Sequence, residues 1–357
     1  MDPVTHLMTG AALARAGFNR KAAYATLAMT LAAEAPDLDV LWRFRGPVAA
    51  FEHHRGWTHS LIGLPVLAAV VVAVIWAGDR LGAPFTTRFL RHEWDARKHH
   101  EGSPPVRWGL LYLFSLVALA SHLLMDWTNN YGIRPLFPFH PRWIAGSFVA
   151  IVDPIIFLLL LMALVAPWLF GLVTSEIGAR RQPFRGRGWA TVALVGIVLM
   201  WTLRGWERQQ ALGIAASADS SGAQALRVWA DPSMFSPFRW QTIVETPAAY
   251  RLATVNTLTG EFDSDAQADV FYKPPATLAT LAARRSWLGQ AYLDWSIFPL
   301  VTDTGADSDG VTQVTFRDLR FVRYVSGRMK RAPLAGVVYV DSDRRIVRME
   351  MSGRVQR

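Results

Sequence analysis

Four apolar stretches dominate the first two hundred residues, at 61–77, 109–125, 149–173 and 189–203. They are the stronger apolar segments and read as membrane-crossing helices, which need ~17–25 residues. The stretch 4–35 reads instead as two shorter helical arms, 4–16 and 20–35, because Gly17-Phe18-Asn19 breaks it and Arg15, Arg20 and Lys21 cluster around the break. A thin or re-entrant helical hairpin fits that pattern, as does an amphipathic pair lying on the other helices. Either arrangement brings His6 beside Glu34 and Asp37 at one end, with the basic tip at the other.

Beyond Gly205 the pattern changes. Residues 211–222 are small and polar, a linker or a frayed helix, and alternating apolar positions then predict strands over 240–245, 250–257, 311–321 and 337–351. In the last of these Asp341-Ser342-Asp343 makes a turn. Residues 278–284, without an internal breaker, predict a helix. The fold class is therefore a mainly α membrane helical bundle, four spans plus an N-terminal helical hairpin, followed by an α+β or β-rich extramembrane domain. The expected boundaries are 1–204 for the membrane domain, 205–225 for a linker and 226–357 for the C-terminal domain. No internal repeat and no low-complexity tract stands out.

Composition supports a chain that is part membranous and part not: 52% of its 357 residues are hydrophobic and the mean hydropathy is +0.19. The absence of cysteine excludes disulfides, thiolate metal sites and thiol nucleophiles, so any metal must be held by nitrogen and oxygen. A net charge of +9 could suggest nucleic acid. In a membrane protein, cytoplasmic Lys/Arg and anionic lipid account for it, and no nucleic-acid partner is expected. The N-terminus lacks a basic region and a small-residue cleavage site, so no removable signal peptide is expected. The basic loops 78–107 and 174–188 fall on the same side as the hairpin tip. The positive-inside rule makes that side cytoplasmic and leaves His54, His59, His122, Asp126 and the C-terminal domain outside.

The candidate chemistry gathers at the ends of these segments. His53-His54-Arg55-Gly56-Trp57-Thr58-His59-Ser60 stands immediately before the first apolar stretch, and Glu34-Ala35-Pro36-Asp37-Leu38-Asp39 lies upstream. His122 and Asp126, four apart on a predicted helix, share a face one turn apart, which lets an imidazole and a carboxylate hold one ion. Each cluster has a plainer explanation alone: interfacial histidines beside an anchoring tryptophan, or a solvated helix end. Together they offer His6, Asp37, Asp39, His54, His59, His122 and Asp126 on one face, enough for two or three divalent ions. Mixed imidazole and carboxylate ligation suits Zn²⁺ or Mn²⁺ better than Ca²⁺.

The ordered set Thr5-His6-x-x-x-Gly10, Pro36-Asp37-Leu38-Asp39, His54-Arg55-Gly56-x-Thr58-His59-Ser60 and His122-x-x-x-Asp126 resembles the YdjM-like family of bacterial membrane-bound, metal-dependent hydrolases. The segment from Asn130-Tyr131-Gly132 to Pro138 is similar to the stretch after the last His/Asp motif of that family. The resemblance covers about the first 150 residues, and the region after Gly205 is not part of it. It implies a bacterial inner-membrane location, a hydrolase, and the same seven residues as ligands, with a remote likeness to zinc-dependent phospholipases C. A second His-x-x-x-Glu helix motif, which would complete a phospholipase C set, is missing.

Two ions bridged by Asp37 or Asp126 would activate water against a phosphodiester of a lipid or membrane-proximal substrate. Asp37, Glu34 and Arg55 are the expected catalytic residues, Arg55 as a clamp on a phosphate oxygen, with Glu34 and Glu52 as candidate bases or further ligands. Thr58 and Ser60 are expected to support or cap, Asp153 to be a supporting partner or a late ligand, and Arg134 and Arg142 beside Trp143 to anchor at the interface. His92, His99 and His100 read as a solvated loop cluster on the cytoplasmic side. The competing readings are a metal-bearing membrane scaffold whose external domain binds a protein partner, and a metal transporter. The latter is disfavoured because the ligands gather at span ends and not at mid-membrane depth.

Overall fold

The computed structural model describes residues 1–81, 104–176, 186–218, 224–263, 269–322, 324–325, 328–329 and 333–356. His92, His99 and His100, with most of loops 78–107 and 174–188, lie outside the described residues. The chain divides into two compact units, Met1–Leu38 with Trp57–Leu203, and Asp39–Gly56 with Arg204–Arg357.

The first unit is helical. α1 (Pro3–Ala16) starts where the Asp2 carboxylate accepts the Thr5 N–H and proline occupies the first turn, both standard helix-start devices. Its partner α2 (Ala25–Glu34) begins five residues later than the pattern suggested, because Phe18–Arg20 form a short 3-10 turn and Tyr24 takes a left-handed backbone conformation at φ 62°. The two arms pack as a hairpin through small residues. At Gly10 an added Cβ would stand 2.4 Å from the Met29 carbonyl oxygen and 2.8 Å from the Ala33 Cβ, so only glycine allows this approach.

Around the hairpin stand α4 (Gly63–Arg80), α5 (Trp108–Thr128), α6 (Pro154–Glu176) and α7 (Arg187–Ala218); α3 belongs to the second unit. α4, α5 and α7 are long and apolar enough to cross a membrane, whereas Pro154–Phe170 of α6 is a shorter apolar helix. α6 starts at Pro154 and not at 149, because Asp153 Oδ1 accepts the N–H groups of Ile155 (3.0 Å) and Ile156 (3.2 Å) and fixes the first turn there. The alanines of α2 pack with Leu64, Ala68 and Val71 of α4 and with Leu111, Ala118 and Leu119 of α5. Met8 and Ala12 of α1 meet Ile156 and Leu160 of α6 and Ile197 of α7.

In the second unit, α3 (Pro47–His53) sets Phe51 against the rings of Tyr292 and Trp295 at 5.6 and 5.2 Å. Two antiparallel five-stranded sheets come after it. The first runs β1 (Arg227–Pro232), β2 (Arg239–Glu245), β3 (Ala249–Asn256) and β4 (Glu261–Asp263), with β5 (Val270–Tyr272) also on β3. The second is ordered β12-β11-β10-β7-β6, from β6 (Pro299–Ala306), β7 (Thr312–Asp318), β10 (Gly336–Val340), β11 (Ile346–Met351) and β12 (Arg354–Val355). β8 (Tyr324–Val325) and β9 (Arg328–Met329) form a small hairpin. α8 (Leu278–Arg285) and α9 (Trp287–Trp295) join the sheets in sequence.

The strand expected over 311–321 stops at Asp318, whose carboxylate caps a 3-10 turn over Leu319–Phe321. The linker expected over 205–225 is helical as far as Ala218, being the second half of α7. Side chains hold it: Arg204 donates to the carbonyls of Ser233 (3.1 Å) and Ser236 (3.2 Å), Glu207 bonds Thr257, and Arg208 lies over the Trp229 ring.

Candidate metal centre

Four side chains of the first unit converge. Asp37, His59, His122 and Asp126 each offer a donor atom, and the four atoms lie within 4.8 Å of one another. Each arrives from a different local device. Pro36 ends the helical run after α2, and Asp37 sits in the 3-10 helix Ala35–Arg45. His59 closes a tight turn, Trp57–His59, that packs against Gly63; an added Cβ there would stand 2.0 Å from the Trp57 carbonyl oxygen. Ser60 accepts the Gly63 N–H at 3.1 Å, the capping role expected of it. His122 and Asp126 project from one face of α5, four residues apart.

The spacing fits a cation. His59 Nε2 and His122 Nε2 are 3.1 Å apart. Asp126 Oδ2 is 3.4 Å from each, and Asp37 Oδ1 is 3.4 Å from His59 and 3.8 Å from His122. A tetrahedral ion with ligand bonds of about 2.0–2.2 Å has edges of about 3.3–3.6 Å. These separations bracket that range. The imidazole hydrogens point the same way. His122 Nδ1 is 2.7 Å from the Ala33 carbonyl oxygen, an acceptor only, so it carries the proton and Nε2 keeps its lone pair. His59 Nδ1 lies 3.0 Å from the Thr58 hydroxyl, so Thr58 has the supporting role expected of it. Two imidazole nitrogens and two carboxylates facing one another in a largely buried space favour a positive charge among them, and the Met1 amino group already supplies one at Asp126 Oδ1.

Burial is uneven. His59, His122 and Asp126 are wholly enclosed, while the Asp37 side chain is 21% exposed and forms the open edge. Leu38, next to Asp37 in the chain, and Trp57, Leu61 and Ile62, within three residues of His59, are all exposed.

His6 lies beside this group. Its ring stacks on His122 at 3.7 Å, and its Nε2 lies 3.4 Å from Asp126 Oδ1 and 2.9 Å from the Met1 amino group. Its buried Nδ1 has no hydrogen-bond partner among the described residues, and neither has the buried Oε2 of Glu34. Asn129, which sequence reasoning passed over, donates to Asp126 Oδ1 at 3.4 Å and accepts the Tyr131 N–H at 2.9 Å. Its place three residues after the ligand was the available signal. The Ala33 carbonyl had no signal at all, being backbone.

The remaining candidates have partners of their own. In the second unit, Asp39 accepts the Arg55 N–H at 2.7 Å and lies 3.1 Å from His54 Nδ1, so these three form one cluster, with Arg55 in a left-handed conformation at φ 55°. Glu52 accepts the indole N–H of Trp287 at 2.8 Å. In the first unit, Asp153 caps α6, and the Arg134 guanidinium stacks on Phe137 and Trp143 at 4.7 and 4.5 Å.

Comparison with known proteins agrees with the reach of these motifs. The YdjM inner membrane protein family matches residues 1–211. YfhP of Bacillus subtilis (strain 168), described as an uncharacterized protein, is 28% identical over 179 residues, which is 48% of this chain and 47% of its own length. The match thus spans about half the length of that relative. No solved structure matches the chain. The family match takes in the hairpin, the converging aspartates and histidines and the membrane-capable helices, and by it the chain belongs to the YdjM inner membrane protein family.

Proposed function

We propose that this protein is a multi-pass, membrane-embedded, metal-dependent hydrolase that cleaves a phosphoester of a lipid or another substrate at the membrane surface. One observation carries the reading: four donors at ion-holding separations sit under an apolar rim, with Asp37 as their open edge. A purely soluble polar substrate would find little to bind there, whereas a head group with its acyl chains matches both halves.

Asp37, His59, His122 and Asp126 would hold the ion, zinc or manganese by the chemistry of the set. When bound, such an ion lowers the pKa of a water and polarises a phosphoryl oxygen. The protein does the rest. The Ala33 carbonyl and the Thr58 hydroxyl keep both Nε2 atoms aimed inward. Asp37 is the exposed member of the set, and that side is where substrate would enter. Glu34, whose buried Oε2 has no hydrogen-bond partner among the described residues, would take up the proton of the attacking water. Asp126 turns Oδ2 to the histidine pair and Oδ1 to His6 and the Met1 amino group, so Oδ2 would be its ligand to the ion. In this reading α4 to α7 are four spans, and the positive-inside rule puts the centre and the C-terminal domain on the periplasmic side of the inner membrane.

A second reading has its own support. Four protein ligands in a tetrahedral arrangement are the mark of a structural site, and catalytic sites keep a position open. On that reading the protein is a metal-bearing scaffold whose C-terminal domain binds a protein partner. The test is release of a labelled head group from phospholipid vesicles by the metal-loaded protein, with Asp37→Asn and His59→Ala as controls. Release abolished in both variants supports the hydrolase. Absence of release, with tightly held metal and no exchangeable coordinated water, supports the scaffold.

A further inference from the structure

The 3-10 helix Ala35–Arg45 runs for 11 residues, where runs of this geometry longer than three or four are uncommon. Residues three apart eclipse one another on such a helix, so it has three columns. Asp37, Val40 and Arg43 form one, headed by the candidate ligand. Asp39, Trp42 and Arg45 form the second, which is fastened to the protein: Asp39 holds the Arg55 N–H and His54, and the Trp42 ring lies 3.8 Å from the His53 ring. The Gln356 side chain donates to the Arg45 carbonyl at 2.9 Å and accepts the Val48 N–H at 2.9 Å. Leu38, Leu41 and Phe44 form the third column, and they are exposed by 52%, 56% and 90%. Phe44 is a large aromatic almost wholly outside the protein, between the exposed Arg43 and Arg45.

We infer that this ridge is an interfacial anchor, seated in the anionic head-group layer of the bilayer that holds the helices, with Leu41 and Phe44 among the upper acyl chains and Arg43 and Arg45 at the phosphates. Connectivity supports the occupant. Asp37 lies within 3.8 Å of His59, four residues before the membrane-capable α4, and of His122, in the last turns of α5. Phe44 is seven residues on, about 14 Å at the 3-10 rise. The ridge therefore begins where two membrane-capable helices end. An apolar edge flanked by arginines is the composition that binds an anionic interface. The fastening of the second column orders the helix in advance, so its apolar side chains are presented without a further ordering cost. The inference rests on membrane residence and is independent of hydrolysis.

The chain has no cysteine, so a single thiol can be placed and labelled at will. Full-length Phe44→Cys carrying an environment-sensitive fluorophore is reconstituted into phosphatidylcholine–phosphatidylglycerol vesicles. Its quenching by doxyl-labelled lipid and by aqueous iodide is compared with that of Ser308→Cys, in an exposed loop of the second unit. The expected result is a several-fold larger loss of emission to the lipid quencher at position 44, with shielding from iodide. That loss should weaken in phosphatidylcholine-only vesicles and in an Arg43→Gln/Arg45→Gln background. Iodide quenching at 44 equal to that at 308 would place the ridge in water. Shielding from both quenchers would mean that protein covers it, and equal lipid quenching in both vesicle types would remove the anionic layer as occupant; each outcome overturns the inference. Should Phe44→Cys misfold by circular dichroism, the same label at Leu41→Cys reads the same column.

Discussion

His122 Nδ1 stands 2.7 Å from the carbonyl oxygen of Ala33, joining α5 to the last turn of α2. The bond fixes which nitrogen carries the proton and hence which would face a cation. It depends on the hairpin, because Ala33 is also one of the two residues that a side chain at Gly10 would strike. Gly10→Val should push α2 away from α1 and shift the Ala33 carbonyl off His122. The expected effect is a fall in metal affinity of about 10–100-fold, the range for losing an outer hydrogen-bond partner of a ligating histidine. A chelator-competition titration measures it, and insertion into the membrane should be unchanged. Wild-type affinity in Gly10→Val would show that His122 is held by something other than the hairpin.

If the four converging groups hold an ion, removing it leaves two carboxylates close together with the Met1 amino group on Asp126 as their ionic partner. Ligand linkage then contributes stability of about 2.7 kcal/mol when free metal exceeds its Kd a hundredfold. Chelation should lower the thermal midpoint, and added Zn²⁺ or Mn²⁺ should restore it. Asp126→Asn and His59→Ala should abolish both the bound metal, read by elemental analysis, and the chelator response. His54→Ala removes a partner of Asp39 but leaves the four-donor group intact, so its metal content should match wild type. Loss of metal in His54→Ala would return His54 to the ligand set.

Much of this architecture was legible in the chain because a membrane and a metal both write strong local signals. Apolar runs of span length cannot be confused with surface helices, and Gly17 with its flanking basic residues marked the hairpin tip. His122 and Asp126 could be paired because four residues make one helical turn. Spatial grouping was less legible. Asp37 and Asp39 are two residues apart, yet a 3-10 helix turns them onto different columns, one toward His59 and the other to the Arg55 backbone. The sequence shows two neighbouring carboxylates and not the helix type that separates them. β1 and β6 escaped notice because a proline closes one and a Thr-Asp-Thr-Gly tail obscures the alternation of the other. α3 was missed because seven residues give too short a stretch for periodicity.

Asn129 makes a narrower prediction. It couples the turn after α5 to the centre by donating to Asp126 Oδ1 and accepting from Tyr131. Asn129→Ala should leave all four donors present but free Asp126 to rotate. Metal should still bind at full stoichiometry, with affinity reduced by about tenfold, the lower end for an outer-shell partner. Asn129→Asp would restore an acceptor for Tyr131 but place a second carboxylate against Asp126, and it should bind metal no better than the alanine variant. If both variants bind as wild type, Asn129 serves the turn alone.

The second unit carries a pH-dependent tie of its own. Asp318 and Arg320 are fully buried, and the guanidinium donates to both carboxylate oxygens, at 3.0 Å from Nε and 2.9 Å from the terminal nitrogen. Ser296 Oγ and the Ile297 N–H add bonds of 2.6 and 2.9 Å. Burial alone would push the Asp318 carboxyl up; the adjacent Arg320 and these donors prevail and hold it below the ordinary carboxylate value. A depressed folded-state pKa means that the tie is complete above the unfolded value of about 3.9 and is lost only as pH falls through the lower folded value. The sheets should therefore resist acid to below pH ~4. Asp318→Asn leaves Arg320 buried without its counter-charge, which costs about 3–5 kcal/mol. In the full-length protein, that variant should lose β-sheet circular dichroism at a lower temperature than wild type at neutral pH. The gap should narrow as the pH is lowered past the wild-type carboxyl's own titration, because both proteins then carry a neutral group at 318. A gap that stayed constant through that range would show that the carboxylate's charge is not what the variant removed.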